Sequence, residues 1–456
     1  MTDTEVMHVV IVGAGEVGMY VADRLSREGH DVALIDLDRD RIAEADEVLD
    51  ALTVQGSGSS PVTLAAAGID RASLLVAVSD DDETNLVASM IAKQLSSATT
   101  IVRLESDDLR GTDASRLRKA MGVDRVIDPD QETAEEIFEL LQFPGASEIF
   151  RMVGGEVMVL GARLPPDAPA VGRTLHDLAR EHEPHWDFLI GVVTRRGQTI
   201  IAREDVRLEA DDHLRVVCNQ RGRRQLLRLL GLARDLPRHV MLLGGGHTGR
   251  ILAERLERRG VAPVIIERKP ARAEELARRL ERTLVLQGEI TDSDLLTDEG
   301  VSKADVVVAL TGEDDANILA CLFAKAAGAK ETIAVAHRLS LLPLLRSIGI
   351  DAALSPRTAI ANAVLRYVRG GEVSSVMTFL EGEAEVLEVD VREGSMADGA
   401  LVAELPLPKD VLIGMVIRGG NAEIARGRTR LHDQDRVIVF ALPKAVPQVH
   451  RIFGAS

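Results

Sequence analysis

The sequence predicts an α/β chain: two Rossmann-like parallel-sheet domains, each followed by a small α+β domain. Three observations predict this class. The stretch VVIVGAGEVGMYVADRL (9–25) sets a glycine loop between an apolar run and an amphipathic run. The stretch VMLLGGGHTGRILAERL (240–256) repeats that arrangement. After each of them comes a segment that alternates apolar and polar residues around turns, and this segment also repeats.

At 456 residues the chain is past the size at which one hydrophobic core stops growing. Aromatic residues are scarce, with one tryptophan (Trp186) and two tyrosines (Tyr20, Tyr367). The core must therefore be Val, Leu, Ile and Ala, the filling of parallel sheets covered by helices. A net charge of -18 argues against nucleic-acid binding as the main task, because phosphate backbones need a basic face. The basic run RGRRQLLRLLGLAR (221–234) reads as a linker helix with a solvated face. The two cysteines, Cys218 and Cys321, sit in apolar runs without metal-ligand spacing and are expected to be buried thiols in a reducing compartment. None of the eleven histidines has a metal-type partner, and only His247, in the second glycine loop, stands in a suggestive place. The opening HVVIVGAG reads as strand and turn rather than as a signal peptide, and no apolar run reaches the length of a membrane span. A cytoplasmic protein is expected, with any membrane role exercised through a partner.

The first module alternates strands and helices in order. HVVIVG (8–13) is a strand ending at glycine, and EVGMYVADRLSREG (16–29) is a helix with a glycine stop. DVALID (31–36) is a strand, RDRIAEADEVL (39–49) a helix, LTVQG (52–56) a strand and VTLAAAGI (62–69) a helix. SLLVAVSD (73–80), ETNLVASMIAKQL (83–95) and TTIVRLE (99–105) continue as strand, helix and strand. Such alternation means right-handed βαβ units and a parallel sheet.

Overlaying the two halves places Gly13, Gly15 and Gly18 on Gly244, Gly246 and Gly249, Asp36 on Glu267, Asn85 on Asn317, and Lys93 on Lys325. The segments 188–218 and 411–440 match in the same way, with Gly191 on Gly414, Arg203 on Arg426 and Asp212 on Asp435. A period this long means tandem duplication of a two-domain unit. The expected domains are 1–130 and 239–357 (nucleotide-binding) and 148–220 and 375–456 (small α+β). Crossover helices are expected at 131–147 and 358–374, and a linker helix at 221–238.

The glycine loop has the context that gives it meaning. Gly13 allows the turn out of the first strand, Gly15 lets a pyrophosphate approach the backbone, and Gly18 lets the helix pack on the sheet. Free N–H groups at the helix start hold phosphates. Asp36, at the end of the second strand, is placed to accept hydrogen bonds from a ribose diol, which favours NAD or an adenosine nucleotide over NADP. Strand-end residues Val54–Gly56, Ser79, Asp80 and Arg103 complete this site, with Arg103 serving either a phosphate or an ion pair with Asp80 or Glu105. The second copy offers Leu286–Gly288, Thr311, Gly312 and Arg338. There, Arg268 and Lys269 follow the acid Glu267 and alter the local field, which leaves a more highly charged ligand or an empty pocket as the alternatives.

No GxSxG, HExxH, Walker lysine or catalytic Tyr–Lys pattern accompanies the two loops, so a dehydrogenase would lack its acid or base. ADDH (210–213) reads as a polar turn before a strand.

GAGEVG, Asp36, VAVSDDDETN and IGVVTRRGQTIIAREDVRLEADDHLRVV resemble RCK domains, also called KTN domains, which regulate potassium channels and transporters. The tandem order over the whole chain resembles the cytoplasmic regulatory subunits of bacterial Trk potassium uptake systems. The resemblance implies binding of NAD(H) or of ATP and ADP. It also implies assembly into a ring, a tetramer of tandem chains, under a membrane potassium-conducting subunit of the TrkH or TrkG type, with gating by ligand-driven change of ring shape and no enzymatic activity. Mapped by motif, Gly13, Ala14, Gly15, Glu16, Val17, Asp36, Val54, Ser79, Asp80 and Arg103 would line the first site. Gly244, Gly245, Gly246, His247, Thr248 and Glu267 would line the second. His247 and GSGSSP (56–61), where many members are acidic, depart from the family pattern. An NAD-dependent oxidoreductase of unknown substrate is the alternative function.

Overall fold

The computed structural model describes residues 6–27, 29–110, 114–152, 155–183, 186–232, 236–369, 376–378 and 384–454. The first module has strands β1 (His8–Val12), β2 (Asp31–Asp36), β3 (Leu52–Gln55), β4 (Leu74–Ala77), β5 (Thr99–Arg103) and β6 (Arg125–Ile127). All neighbours pair in parallel in the order β3-β2-β1-β4-β5-β6, so the order reverses between β1 and β4. The central strands β1 and β4 are buried along their whole length and read as continuous apolar runs, whereas the outer strand β3 is partly exposed. The first small domain follows as β7 (Ala146–Met152), β8 (Val157–Arg163), β9 (Phe188–Arg195), β10 (Gln198–Ile201) and β11 (His213–Asn219), an antiparallel sheet ordered β10-β9-β11-β8-β7.

The second half repeats the plan. Strands β12 (Val240–Leu243), β13 (Val264–Glu267), β14 (Leu284–Gln287), β15 (Val306–Ala309), β16 (Glu331–Val335) and β17 (Ala352–Leu354) form a sheet in the order β14-β13-β12-β15-β16-β17. Strands β18 (Val376–Thr378), β19 (Glu385–Asp390), β20 (Val411–Arg418), β21 (Asn421–Ile424) and β22 (Arg436–Ala441) form the last sheet. The sixth strand of each parallel sheet and the first two strands of the small domains went unread in the sequence. Three-residue β6 and β17 are too short to show a period, and β7 and β8 are buried without clean alternation.

The connecting helices differ from expectation. The linker helix is confined to Arg223–Leu229, because Gly231 turns left-handed (φ 71) and Pro237 follows; residues 233–235 lie outside the described residues. The first crossover helix spans Pro129–Leu141 and stops before Pro144 and the left-handed Gly145 (φ 86), after which β7 begins. The second spans Pro356–Arg369, and residues 370–374 lie outside the described residues.

The chain divides into two compact units that do not follow the repeat: one is Met1–Glu135 with Ala336–Leu339 and Leu354–Gly371, the other the remainder. In the first unit, the helix Pro356–Arg369 sends Ile360, Ala361, Val364 and Leu365 into the core formed with Val17, Val21 and Leu25. Each large aliphatic side chain buried this way contributes about 1.5–3 kcal/mol. Arg125 stacks over the Tyr367 ring at 5.3 Å. In the second unit, Phe138 of the first crossover helix lies under Arg255 and Arg259, at 5.9 and 5.6 Å. Each crossover helix thus packs on the nucleotide-binding module of the other half.

The two small domains share one apolar cluster, including Met152, Val159, Val192, Val217, Met415, Ile438 and Phe440. Phe440 fills the space left by Gly191, where an added Cβ would sit 2.3 Å from its ring. The repeat-related arginines each reach across this contact: Arg203 Nη2 donates to Val411 O (2.9 Å) and Arg426 Nη1 to Glu183 Oε1 (2.8 Å).

Candidate functional sites at two glycine loops

In the first module the loop leaves β1 at Gly13, whose φ of 105 favours glycine. A Cβ there would meet Ser79 N at 2.8 Å, and one on Gly18 would meet Gly13 O at 1.8 Å. Protein packing therefore demands both outer glycines. Gly15 is different: its nearest neighbour would be Arg41 Nη1 at 3.8 Å. The second loop behaves alike. Gly244 has φ 120, a Cβ on Gly249 would meet Gly244 O at 2.3 Å, and nothing lies within 4 Å of one on Gly246. In both copies the middle glycine leaves an open approach to backbone N–H groups at a helix start, which is where a pyrophosphate fits.

The strand-end acids are tied into the loops. Asp36 Oδ2 accepts the Ala14 N–H (2.6 Å) and Oδ1 the Asp38 N–H (2.8 Å). Glu267 Oε2 accepts the Gly245 N–H (2.8 Å) and Oε1 the Lys269 N–H (2.8 Å). Each carboxylate oxygen carries one backbone donor and keeps a lone pair for a ribose hydroxyl.

Ala14 and Val17 are buried in the core, so they offer backbone rather than side chain to a ligand. Val54 is half-buried in β3, Ser79 half-buried after β4, and Asp80 exposed. His247 and Thr248 open the helix His247–Arg258 and are half-buried. Arg103 is held in the ion-pair alternative: its Nη1 lies 2.7 Å from Asp80 Oδ1 and its Nη2 bonds Glu105. Arg338 lies beyond the end of β16 rather than within the strand. Glu16, exposed at the start of the helix Glu16–Arg27, is ion-paired with Arg357, the second residue of the crossover helix.

Two residues that sequence reasoning aligned without assigning a role prove central. Asn85 is fully buried. Its Oδ1 accepts from Ser79 N (3.0 Å) and Ser79 Oγ (2.7 Å), and its Nδ2 donates to Ser79 O (2.9 Å) and Arg103 O (3.1 Å). Asn317 repeats the pattern with Thr311 N, Oγ1 and O and with Val335 O. Each asparagine clamps the carboxyl ends of two strands beside the glycine loop. The available signal was an amide recurring at one aligned position, immediately before the apolar stretch of each helix.

Elsewhere, Asp212 and Asp435 are bound by Arg195 and Arg418, each at 2.7 Å, so the ADDH segment is a polar turn with Asp211 at φ 68. Cys218 and Cys321 are free, and burial pushes both thiols up to about 12, which keeps them protonated at neutral pH. Among the described residues no helix is long and apolar enough to cross a membrane.

The chain matches the TrkA-N domain model at residues 9–129 and 240–356 and the TrkA-C domain model at 159–231 and 386–454. It is 34% identical over 453 residues to the Trk system potassium uptake protein TrkA of Halomonas elongata, covering 98% of each chain. It is 33% identical over 457 residues to that of Vibrio alginolyticus, covering 99% of each. Among solved structures, the GsuK RCK domain superposes with a TM-score of 0.57 at 17% identity, covering 100% of this chain and 97% of that one. The GsuK channel bound to NAD gives a TM-score of 0.57 at 17% identity, covering 100% and 80%. Two glycine-loop modules, each followed by its small domain, in tandem over nearly the whole length, place this chain in the TrkA family of potassium uptake proteins.

Proposed function

We propose that the chain is a cytoplasmic regulatory subunit that senses NAD(H), ATP or ADP and gates a membrane potassium-conducting partner of the TrkH or TrkG type. The observation that carries the reading is the link between site and scaffold. Glu16, in the glycine loop, is ion-paired to Arg357 on a helix that arrives from the other half of the chain. A ligand that changes the charge at this loop changes what holds that helix.

A nucleotide that fits one arrangement better than another shifts the population toward it. Coupling is typically about 1–3 kcal/mol per ligand, whereas turning a 1:99 mixture into 99:1 takes about 5.5 kcal/mol. Several sites must therefore act together, which two loops per chain in a ring of chains would supply. Membership of the TrkA family supports the potassium-uptake role, and the NAD held by the GsuK channel supports the ligand class.

The test is reconstitution with a TrkH-type subunit in potassium-loaded vesicles, reading flux against added NADH, ATP and ADP. Nucleotide-dependent flux is expected. Flux indifferent to all of them, or steady redox turnover of NAD(H) by the isolated chain, would refute it.

A further inference from the structure

The two glycine loops are alike in backbone and unlike in the charge beside the ribose position. In a dinucleotide-binding sheet, the residues just after the second-strand acid flank the adenosine ribose, and a basic residue there accommodates a 2′-phosphate. In the first module this segment is Leu37 and Asp38. Asp38 Oδ1 accepts the Asp40 N–H at 2.8 Å, and the Asp38 N–H in turn donates to Asp36 Oδ1 at 2.8 Å. A phosphate on the ribose would meet the carboxylates of Asp36 and Asp38, between which Arg41 lies, 3.7 Å from Asp36 Oδ2 and 4.0 Å from Asp38 Oδ2.

In the second module the same positions are Arg268 and Lys269. Lys269 is exposed, and among the described residues its ammonium has no carboxylate partner. Arg268 faces Glu313 Oε1 at 3.2 Å and Glu289 Oε1 at 3.9 Å, both pairs solvent-exposed, and such pairs exchange partners readily. Arg272 anchors a third cation on the loop, at the position that Arg41 holds on the first. Its Nε donates to Gly245 O (3.0 Å), its Nη1 to Glu275 Oε2 (2.8 Å), and its Nη2 is buried with no hydrogen-bond partner. A buried donor left unmatched is costly, and a phosphate oxygen would satisfy it. Glu267 and Asp36 each accept two backbone N–H groups, so the sites differ in the residues that follow the acid and not in the acid itself.

We infer that the second glycine-loop site takes an adenine nucleotide carrying a phosphate on its ribose 2′-oxygen, while the first site excludes one. This rests on the nucleotide-sensing reading above and separates the two sites by ligand.

The test uses the full chain with Gly15→Asp, which sets a carboxylate where a pyrophosphate must approach and meets only Arg41 Nη1 at 3.8 Å. Calorimetric titration should show NADP+ binding more tightly than NAD+, and 2′,5′-ADP more tightly than 5′-AMP. The preference should be on the order of tenfold or more, the scale of one charge-assisted contact. Replacing Arg268 and Lys269 by the first-site residues, R268L with K269D, should erase that preference, bringing the NADP+ to NAD+ affinity ratio to one or below. In the unmodified chain NAD+ and NADP+ should bind additively. NAD+ binding the second site as well as NADP+ does overturns this inference and leaves the sensing reading standing. Failure of every nucleotide to bind the unmodified chain overturns both.

Discussion

Replacing Asn85 by alanine tests how the first site is held. Four hydrogen bonds converge on this fully buried amide, and the variant strands Ser79 N–H, Ser79 C=O and Arg103 C=O. A buried polar group left without its partner costs about 1–3 kcal/mol. Ser79 is only half-buried, so water replaces part of what is lost there. The expected cost is about 2–4 kcal/mol, below the simple sum for three groups. It falls on the strand ends that face the nucleotide, so affinity for NAD+ at the first site should drop by at least about tenfold, which is 1.4 kcal/mol. Hydrogen exchange at Val78–Ser79 and at Thr99–Leu104, read with calorimetric NAD+ titration, measures both effects. Asn85→Asp sharpens the test, because it keeps the acceptor for Ser79 N–H and loses the donor to both carbonyls. Wild-type exchange and wild-type affinity in Asn85→Ala would refute the clamp.

Arg357→Ala should change overall stability by less than about 1 kcal/mol, since the pair with Glu16 is partly exposed. It should abolish the nucleotide-dependent change in hydrogen-exchange protection across Pro356–Arg369; protection that still responds to nucleotide would discount the link. Gly191→Val forces a side chain into the Phe440 ring, 2.3 Å from an ideal Cβ. It should destabilise the paired small domains by about 1–3 kcal/mol or more, and an unchanged calorimetric melting transition would count against the shared core. Asp305 gives a pH signature. Burial alone would raise its carboxyl, but Lys330 at 2.7 Å and the His239 and Arg238 N–H groups outweigh burial and hold it down to about 2. A depressed folded value means stability present above the ordinary carboxylate range and lost as pH falls from near 4 toward 2. After allowance for solvent screening that is about 1 kcal/mol. Asp305→Asn should flatten this part of the acid-unfolding curve, and a curve identical to wild type would refute the assignment.

The parallel sheets were legible because their central strands are apolar runs, because β1 and β12 end at a glycine loop, and because each motif occurs twice. Gly13 and Gly18 declare themselves in sequence as spacing, and packing supplies the reason. The crossover helices were legible as helices, but not their destinations. Nothing local in TAIANAVLRYVRGG says that Ile360 and Val364 bury against Val21 and Leu25, more than three hundred residues earlier in the chain. The same limit hid the Glu16–Arg357 pair, whose residues are far apart in sequence. Arg103 was ambiguous because a guanidinium suits phosphate and carboxylate alike, and only the positions of Asp80 and Glu105 decide which it holds.

Duplication gives this architecture a freedom that identical subunits lack. Were two copies of one half-length chain to supply both loops, every residue would occur at both, and a basic crossover residue would have to serve an acidic loop twice. In the tandem chain the positions have diverged in charge. Glu16 in the first loop corresponds to His247 in the second, and Arg357 at the start of the second crossover helix corresponds to Asp130 in the first. The ribose-flanking pair has diverged too, from Leu37 and Asp38 to Arg268 and Lys269. The parts that build the fold have not: the three glycines, the strand-end acid and the asparagine clamp keep the same geometry in both copies. A change of charge over a preserved backbone alters what each site attracts without altering how it is built. Such a pattern suits one chain that responds to two different anions.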